Sequence, residues 1–273
     1  MTTLIRTEWL KMKKYNAFWW IIGITILSYP AINYMFYRVY LSFTGDTNKY
    51  GQYIKMAIGN PFAFPETWHT VAYFSSVFIF IPAVMVIMLI CNEYTYRTHR
   101  QNIIDGWSRK QFITSKLVDV LIISVIITIV YAIVAFIMGI NNQERLIKHT
   151  WDQVQYIGLF ALQTFAQLSI AFLLGFLIRK SFLAMGIYIF YSIIVENMLV
   201  GYLSYKHYPI AHYFPFEISD RMIPPPAFFS RTFDPEAYER QLSSIPQFIA
   251  LTVLLTGVIW LICYRINSRR DLK

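Results

Sequence analysis

VLIISVIITIVYAIVAFIMGI, residues 120–140, runs its whole length without a charge or a proline. A helix rises about 1.5 Å per residue, so roughly 20 apolar residues cross the hydrocarbon core of a bilayer. Working outward, further uncharged stretches occupy 17–37, 70–92, 154–178 and 246–264, and another begins at 182 and is interrupted only by Glu196 before 203. Composition agrees: 56% of residues are hydrophobic, 14% are charged, and the mean hydropathy is +0.44. That is too apolar for a surface facing water. The expected fold is an all-α membrane protein, a single domain over 1–273. Its six transmembrane helices are read at 17–37, 70–92, 109–140, 154–178, 182–203 and 246–264, preceded by an interfacial helix at 1–16. The segment 93–108 is a helical corner between the second and third spans, and 204–245 is an outer loop.

Lysine and arginine collect on the cytoplasmic side of membrane proteins. The side holding 1–16, 93–119, 179–181 and 265–273 carries 15 of them, and the opposite side carries 9 over much longer loops. Counting acids, the first side is +10 and the second is neutral, which with Glu196 gives the formal +9. Both termini and the 93–119 segment are therefore expected in the cytoplasm of a bacterial cell. The basic excess, with a pI of 9.4, fits membrane edges and anionic lipid, not nucleic acid.

The start MTTLIRTEWLKMKKYNAFWW lacks a small-residue cleavage site and reads as a retained segment, not a removed signal. Ile5, Trp9 and Met12 share one helical face, while Arg6, Lys13 and Lys14 lie elsewhere; Glu8 falls among the apolar positions. A short interfacial helix accounts for most of this pattern. Cys91 and Cys263 sit at cytoplasmic helix ends, where free thiols are expected.

The segment NEYTYRTHRQNIIDGWSRKQFITSKLVD, 92–119, sets its own structure. Ser108 with Gln111 three residues on forms a capping box, flanked by Trp107 and Phe112 at the positions of a hydrophobic staple. Gly106 suits the end of a preceding helix. A helix over 93–105, a corner at Asp105-Gly106 and a long helix from Arg109 follow, the last running about 48 Å to 140 at the usual rise. In the outer loop, Asp234-Pro235 reads as an N-cap with proline at the first helical position, giving a short helix near 235–242. Pro65-Glu66 starts the helix of the second span. The loop 204–245 also holds many aromatics, among them Tyr213, Phe216, Phe228 and Phe233, and either forms a belt at the headgroups or dips back between helices.

Catalytic signatures are missing. GFLIRKS at 175–181 lacks the second glycine of a phosphate-binding loop, and neither a zinc-protease nor a serine-hydrolase motif occurs. His207 and His212 lack a third ligand and read as ordinary interfacial histidines. No cofactor or metal is expected, and catalysis by this chain is not. One acid lies inside an apolar run: Glu196, with Asn197 beside it. A buried acid is a functional candidate by default; it is read either as a group on a translocation path or as a packing partner.

Six helices, an interfacial first helix and a charged corner after the second span together resemble the membrane subunit of an ABC-2 type ABC transporter. That family has a glutamate leaving the second span, a threonine and an arginine, a small-residue turn with Ser-Arg, then a lysine entering the third. Here those positions are Glu93, Thr98, Arg100, Gly106, Ser108, Arg109 and Lys116. Arg97 stands where the family often has glycine, which would stiffen the helix or add a salt bridge. The resemblance implies a permease that pairs with a second permease and docks through the coupling segment 93–108 onto a dimer of separate ATP-binding subunits. On this reading Glu93, Arg97, Thr98, Arg100, Asp105, Gly106, Ser108, Arg109 and Lys116 carry the coupling, and an amphiphilic or hydrophobic substrate is exported. The competing readings are a self-sufficient secondary transporter or channel, which needs more intramembrane charge, and an intramembrane enzyme, which needs paired catalytic groups.

Overall fold

Hydrocarbon offers no partner to a free amide, so a chain this apolar must close its backbone hydrogen bonds within helices or a barrel. The structure, a computed structural model, describes residues 2–44, 59–104, 106–142, 149–230 and 234–269, and among these no strand occurs. The helices are α1 (Thr2–Lys14), α2 (Asn16–Thr44), α3 (Thr67–Ser76), α4 (Phe80–Thr95), α5 (Thr98–Ile104), α6 (Arg109–Asn141), α7 (Gln155–Ile178), α8 (Ser181–Ile189), α9 (Glu196–Tyr205), α10 (Pro215–Asp220), α11 (Ala227–Ser230) and α12 (Pro235–Arg269). A π turn over Phe190–Val195 joins α8 to α9, and a 3-10 turn spans Pro209–Tyr213.

Among the described residues, four helical stretches are long and apolar enough to cross a membrane: Arg109–Asn141, Gln155–Ile178, Ser181–Tyr205 and Pro235–Ser268. Counting the bent pair α3–α4 as one span makes five. The helix Asn16–Thr44, read as the first span, is not among them. Its Ser28, Tyr29, Asn33, Tyr34, Tyr37 and Arg38 dilute the apolar run at 17–27.

Three local expectations change. The helix over 70–92 is not continuous: α3 and α4 meet at 49°. Pro82 explains the break, since its missing N–H and its ring exclude it from a helix interior but suit a first turn. The chain bridges the gap with short-range bonds, Phe78 N–H to Ser75 O and Ile79 N–H to Ser76 O. The helix expected over 93–105 is divided at Arg97, whose φ is +56°. The short helix near 235–242 is instead the start of α12, which runs on through Pro246. Its start is as read, with Asp234 Oδ1 accepting the Ala237 N–H at 2.9 Å.

Helix α7 is the hub. Its most apolar window is 61% buried, against 17% for Ser181–Tyr205 and 28% for Pro235–Ser268. Phe160, Leu168, Phe172 and Phe176 carry this burial, packed with Ile87 and Ile90 of α4, Ile123 and Tyr131 of α6 and Trp260 of α12. Small residues let helices approach closely where lipid gives no hydrophobic drive. At Gly175 a Cβ would stand 2.5 Å from Ile90 Cγ2 and 3.4 Å from the Ile87 backbone. Gly175→Ala is therefore expected to destabilise by about 1–3 kcal/mol through overpacking, whereas Gly158→Ala, on the same helix with open space around it, leaves the fold intact. Thermal unfolding of the detergent-solubilised variants measures both. Equal melting temperatures would show that α4 does not sit against α7 in this way.

Candidate functional site

The corner after α4 is built by backbone geometry. Trp107 N–H reaches Asn102 O at 3.0 Å and Gly106 N–H reaches Ile103 O at 3.1 Å, the bond pair of a Schellman end to α5. Gly106 takes φ +95°, a conformation open to glycine at little cost. Two residues later the capping box is complete: Gln111 N–H donates to Ser108 Oγ at 3.2 Å, and Ser108 N–H to Gln111 Oε1 at 2.8 Å. Trp107 and Phe112, read as a staple, each turn a ring toward an ammonium, Lys11 and Lys116 respectively, at 5.7 Å. Asp105 lies outside the described residues.

Where α4 ends, five charged side chains from three helices meet. Lys116 of α6 is the centre: its Nζ bonds to Glu8 Oε2 of α1, to Glu93 Oε1 of α4 at 2.8 Å, and to Asp119 Oδ2 one turn along α6 at 3.3 Å. Lys11 adds a second ammonium, 3.1 Å from Glu8 and 3.4 Å from Glu93. It also reaches Asn102 of α5 at 3.5 Å. All but Lys11 are buried, Glu8 to 2% exposure. Burial alone would raise the Glu8 carboxyl, but Lys116 and Lys11 outweigh it and hold it below its usual 4.5. Its contribution to stability is therefore present above about 4.5 and fades as pH falls through the lowered value.

The same cluster clamps the break at Arg97. Thr98 Oγ1 donates to Glu93 Oε2 at 2.6 Å, and the His99 ring nitrogen Nδ1 lies 3.0 Å from Glu93 O. Arg97 does not stiffen a continuous helix. It occupies the left-handed region that disfavours side chains other than glycine, and among the described residues no carboxylate pairs with it. Arg100 N–H bonds back to Arg97 O at 3.1 Å. Arg109 turns the other way, donating from Nη1 to Ser268 O at 2.8 Å and accepting from Asn267 at 2.8 Å, which ties the start of α6 to the end of α12. The structure thus joins Glu93, Thr98 and Lys116 directly and uses Gly106, Ser108 and Arg109 to shape and anchor the corner. Tyr96 at the end of α4 and Ile104 at the end of α5 are left 73% and 83% exposed.

Glu8, Lys11 and Asp119 complete the cluster and were not read as site residues. Glu8 had announced itself as the one acid on the apolar face of α1. Asp119 lies one turn beyond Lys116, where neighbours on a helix interact.

Glu196 and Asn197 lie at the other end of the molecule. Glu196 is buried and its Oε1 accepts the backbone N–H groups of Phe216 and Glu217, both at 2.8 Å. It caps α10 from a separate helix, so the segment 209–223 packs back onto the bundle, with Phe216, Ile218, Met222 and Ile223 buried. Phe233 of that loop lies outside the described residues. Asn197 is exposed, and its amide bonds to Ser192 O and Ile193 O within the π turn. Cys91 and Cys263 are free and buried.

Residues 4–195 are matched by the family described as ABC-2 family transporter protein. The match covers well over half of the chain. It takes in the whole ion cluster and ends with the π turn, one residue before Glu196. No curated protein matches the chain.

Proposed function

From the membership of this chain in the ABC-2 family of transporter proteins, we propose that it is the multi-pass permease subunit of an ATP-driven exporter. In this reading α2 and the bent α3–α4 pair both cross the bilayer, giving six spans. The exposure of Trp20 (74%) and Leu27 (73%) on α2 suits contact with lipid. The charge asymmetry of the loops supports a cytoplasmic position for both termini and the corner. Two permeases pair, and each corner docks onto a separate ATP-binding subunit of a dimer.

The observation that carries the proposal is the buried ion cluster behind a corner that exposes two large side chains, Tyr96 and Ile104. Tyr96 and Ile104 offer a partner the kind of surface that interfaces bury. Force applied there passes from α5 through Thr98 to Glu93, and from Glu93 through Lys116 to α6 and α1. The lever is stiff because charges lock its joint, not because its helix is unbroken. Arg100, Ser108 and Arg109 shape or flank this surface. The cargo is an amphiphilic or hydrophobic molecule, and Glu196 holds the outer gate segment in place.

The test is purification from native membranes in mild detergent. An ATP-hydrolysing subunit should copurify, and reconstituted vesicles should transport only with ATP. Transport by the lone chain under an ion gradient, with no ATPase present, would instead favour a secondary transporter or channel.

A further inference from the structure

Near the outer segment, a cavity of about 400 Å³ opens between the two interrupted helices. Ser76 and Val77 line it where α3 breaks from α4, and Ser192 and Asn197 line it at the π turn. Irregular backbone at membrane depth is tolerated where it borders a cavity, and broken helices supply binding sites in many transporters. The volume falls within the range of small-molecule pockets.

Four aromatic residues, Tyr73, Phe80, Tyr188 and Phe216, contribute to its walls, with one acid, Asp220. Asp220 Oδ1 accepts amide N–H groups from Gln163 at 2.8 Å and Gln167 at 2.7 Å, both on α7. Among the described residues no basic side chain pairs with it. The nearest candidate in sequence, Arg221, is engaged by Glu217 at 2.7 Å. The Asp220 side chain is exposed and borders both this cavity and a second of about 240 Å³, so it is open to a ligand. Although the residue is exposed, the protein crowded around its carboxyl pushes its pKa up to about 7, opposed by the Gln163 amide and reinforced by the Glu217 and Glu196 carboxylates. A carboxylate held by two neutral amides beside several aromatic side chains lacks only a positive charge, and cations bind the faces of such rings.

We propose that this cavity binds a monovalent organic cation with an apolar body, its charge on Asp220 and its body against Tyr73, Tyr188 and Phe216. This deepens the transporter reading by naming a cargo class, and rests on that reading only for what happens after binding. Glu196 is a positioning residue here: by capping α10 it sets where Asp220 and Phe216 stand.

The binding test uses the purified full chain without its partner, so it is independent of the ATPase. Ethidium fluorescence should rise saturably with the wild-type protein. Asp220→Asn, which keeps an acceptor for both glutamines, should weaken ethidium binding at least tenfold while leaving the melting temperature and the binding of the neutral dye Nile red unchanged. Phe216→Ala should weaken it several-fold. Asp152→Asn, which removes an exposed acid paired with His149, serves as a charge control and should bind as wild type does. Equal ethidium affinity in wild type and Asp220→Asn, or no saturable binding by the wild type, would overturn the proposal. Loss of the ATPase from purified material would count against the partner alone.

Discussion

Lys116→Ala is expected to destabilise the protein by about 3–5 kcal/mol, the range for breaking a buried ion pair from one side. The substitution leaves Glu8, Glu93 and Asp119 buried with only Lys11 near the first two, and Lys11 is itself 39% exposed. Helix α1 then loses its buried tie to α6, and the joint before α5 loses the charge that fixes Glu93. Thermal unfolding in detergent measures the first effect, and trypsin cleavage after Lys13, Lys14 and Arg97 reports the second. Stability and coupling separate in a further variant. Glu8→Met, Glu93→Met, Asp119→Leu and Lys116→Met together remove every buried charge of the cluster, and apolar replacements of similar volume are often neutral. That variant should recover most of the melting temperature but not ATP-driven transport. A loss below about 1 kcal/mol in Lys116→Ala, the scale of a surface pair, would mean that the cluster is open to water and transmits nothing.

Ile104→Asp is expected to strip the ATP-binding subunit from the purified permease while leaving the permease folded. Ile104 ends α5 at 83% exposure, so the isolated chain loses little by the change. Fully burying an isoleucine in an interface contributes about 1.5–3 kcal/mol. Removing that contribution and burying a charge instead should lower affinity at least tenfold, since each 1.4 kcal/mol is a factor of ten. Copurification yield reads this directly. Ile210→Asp is the control: Ile210 is 61% exposed but belongs to the outer segment, so the partner should stay bound. Retention of the ATPase by Ile104→Asp at wild-type levels would remove α5 from the docking surface.

Features set by short-range chemistry were legible in the sequence. The Ser108–Gln111 box, the glycine at 106 and the Asp234 cap each depend on residues three or four apart, and each forms. Breaks were harder. Pro82 divides the second span, yet Pro246 leaves α12 unbroken and Pro30 sits within α2. The residue type is the same, so a proline alone does not decide where a helix breaks. Arg97 illustrates the limit from the other direction. The resemblance offered a glycine position, but only the structure reveals that the glycine conformation survives without the glycine. For the site, Glu93 and Lys116 could be read from the family pattern. Glu8, more than a hundred residues from Lys116, left only an oddly placed charge on an apolar stripe. Asp220 left no signal at all, since nothing local distinguishes it from any loop acid.

The wide turn at 190–195 also fixes a matter of counting. A regular helix turns about 100° per residue, and a π turn accommodates one residue more than an α turn. The wide turn therefore takes up its surplus residue locally, and Glu196 beyond it keeps the face that meets α10. Deleting one amino acid between 190 and 195 would close the turn to a regular one and leave the carboxylate pointing the same way. The position of Glu196 is thus more constrained than the length of the stretch before it.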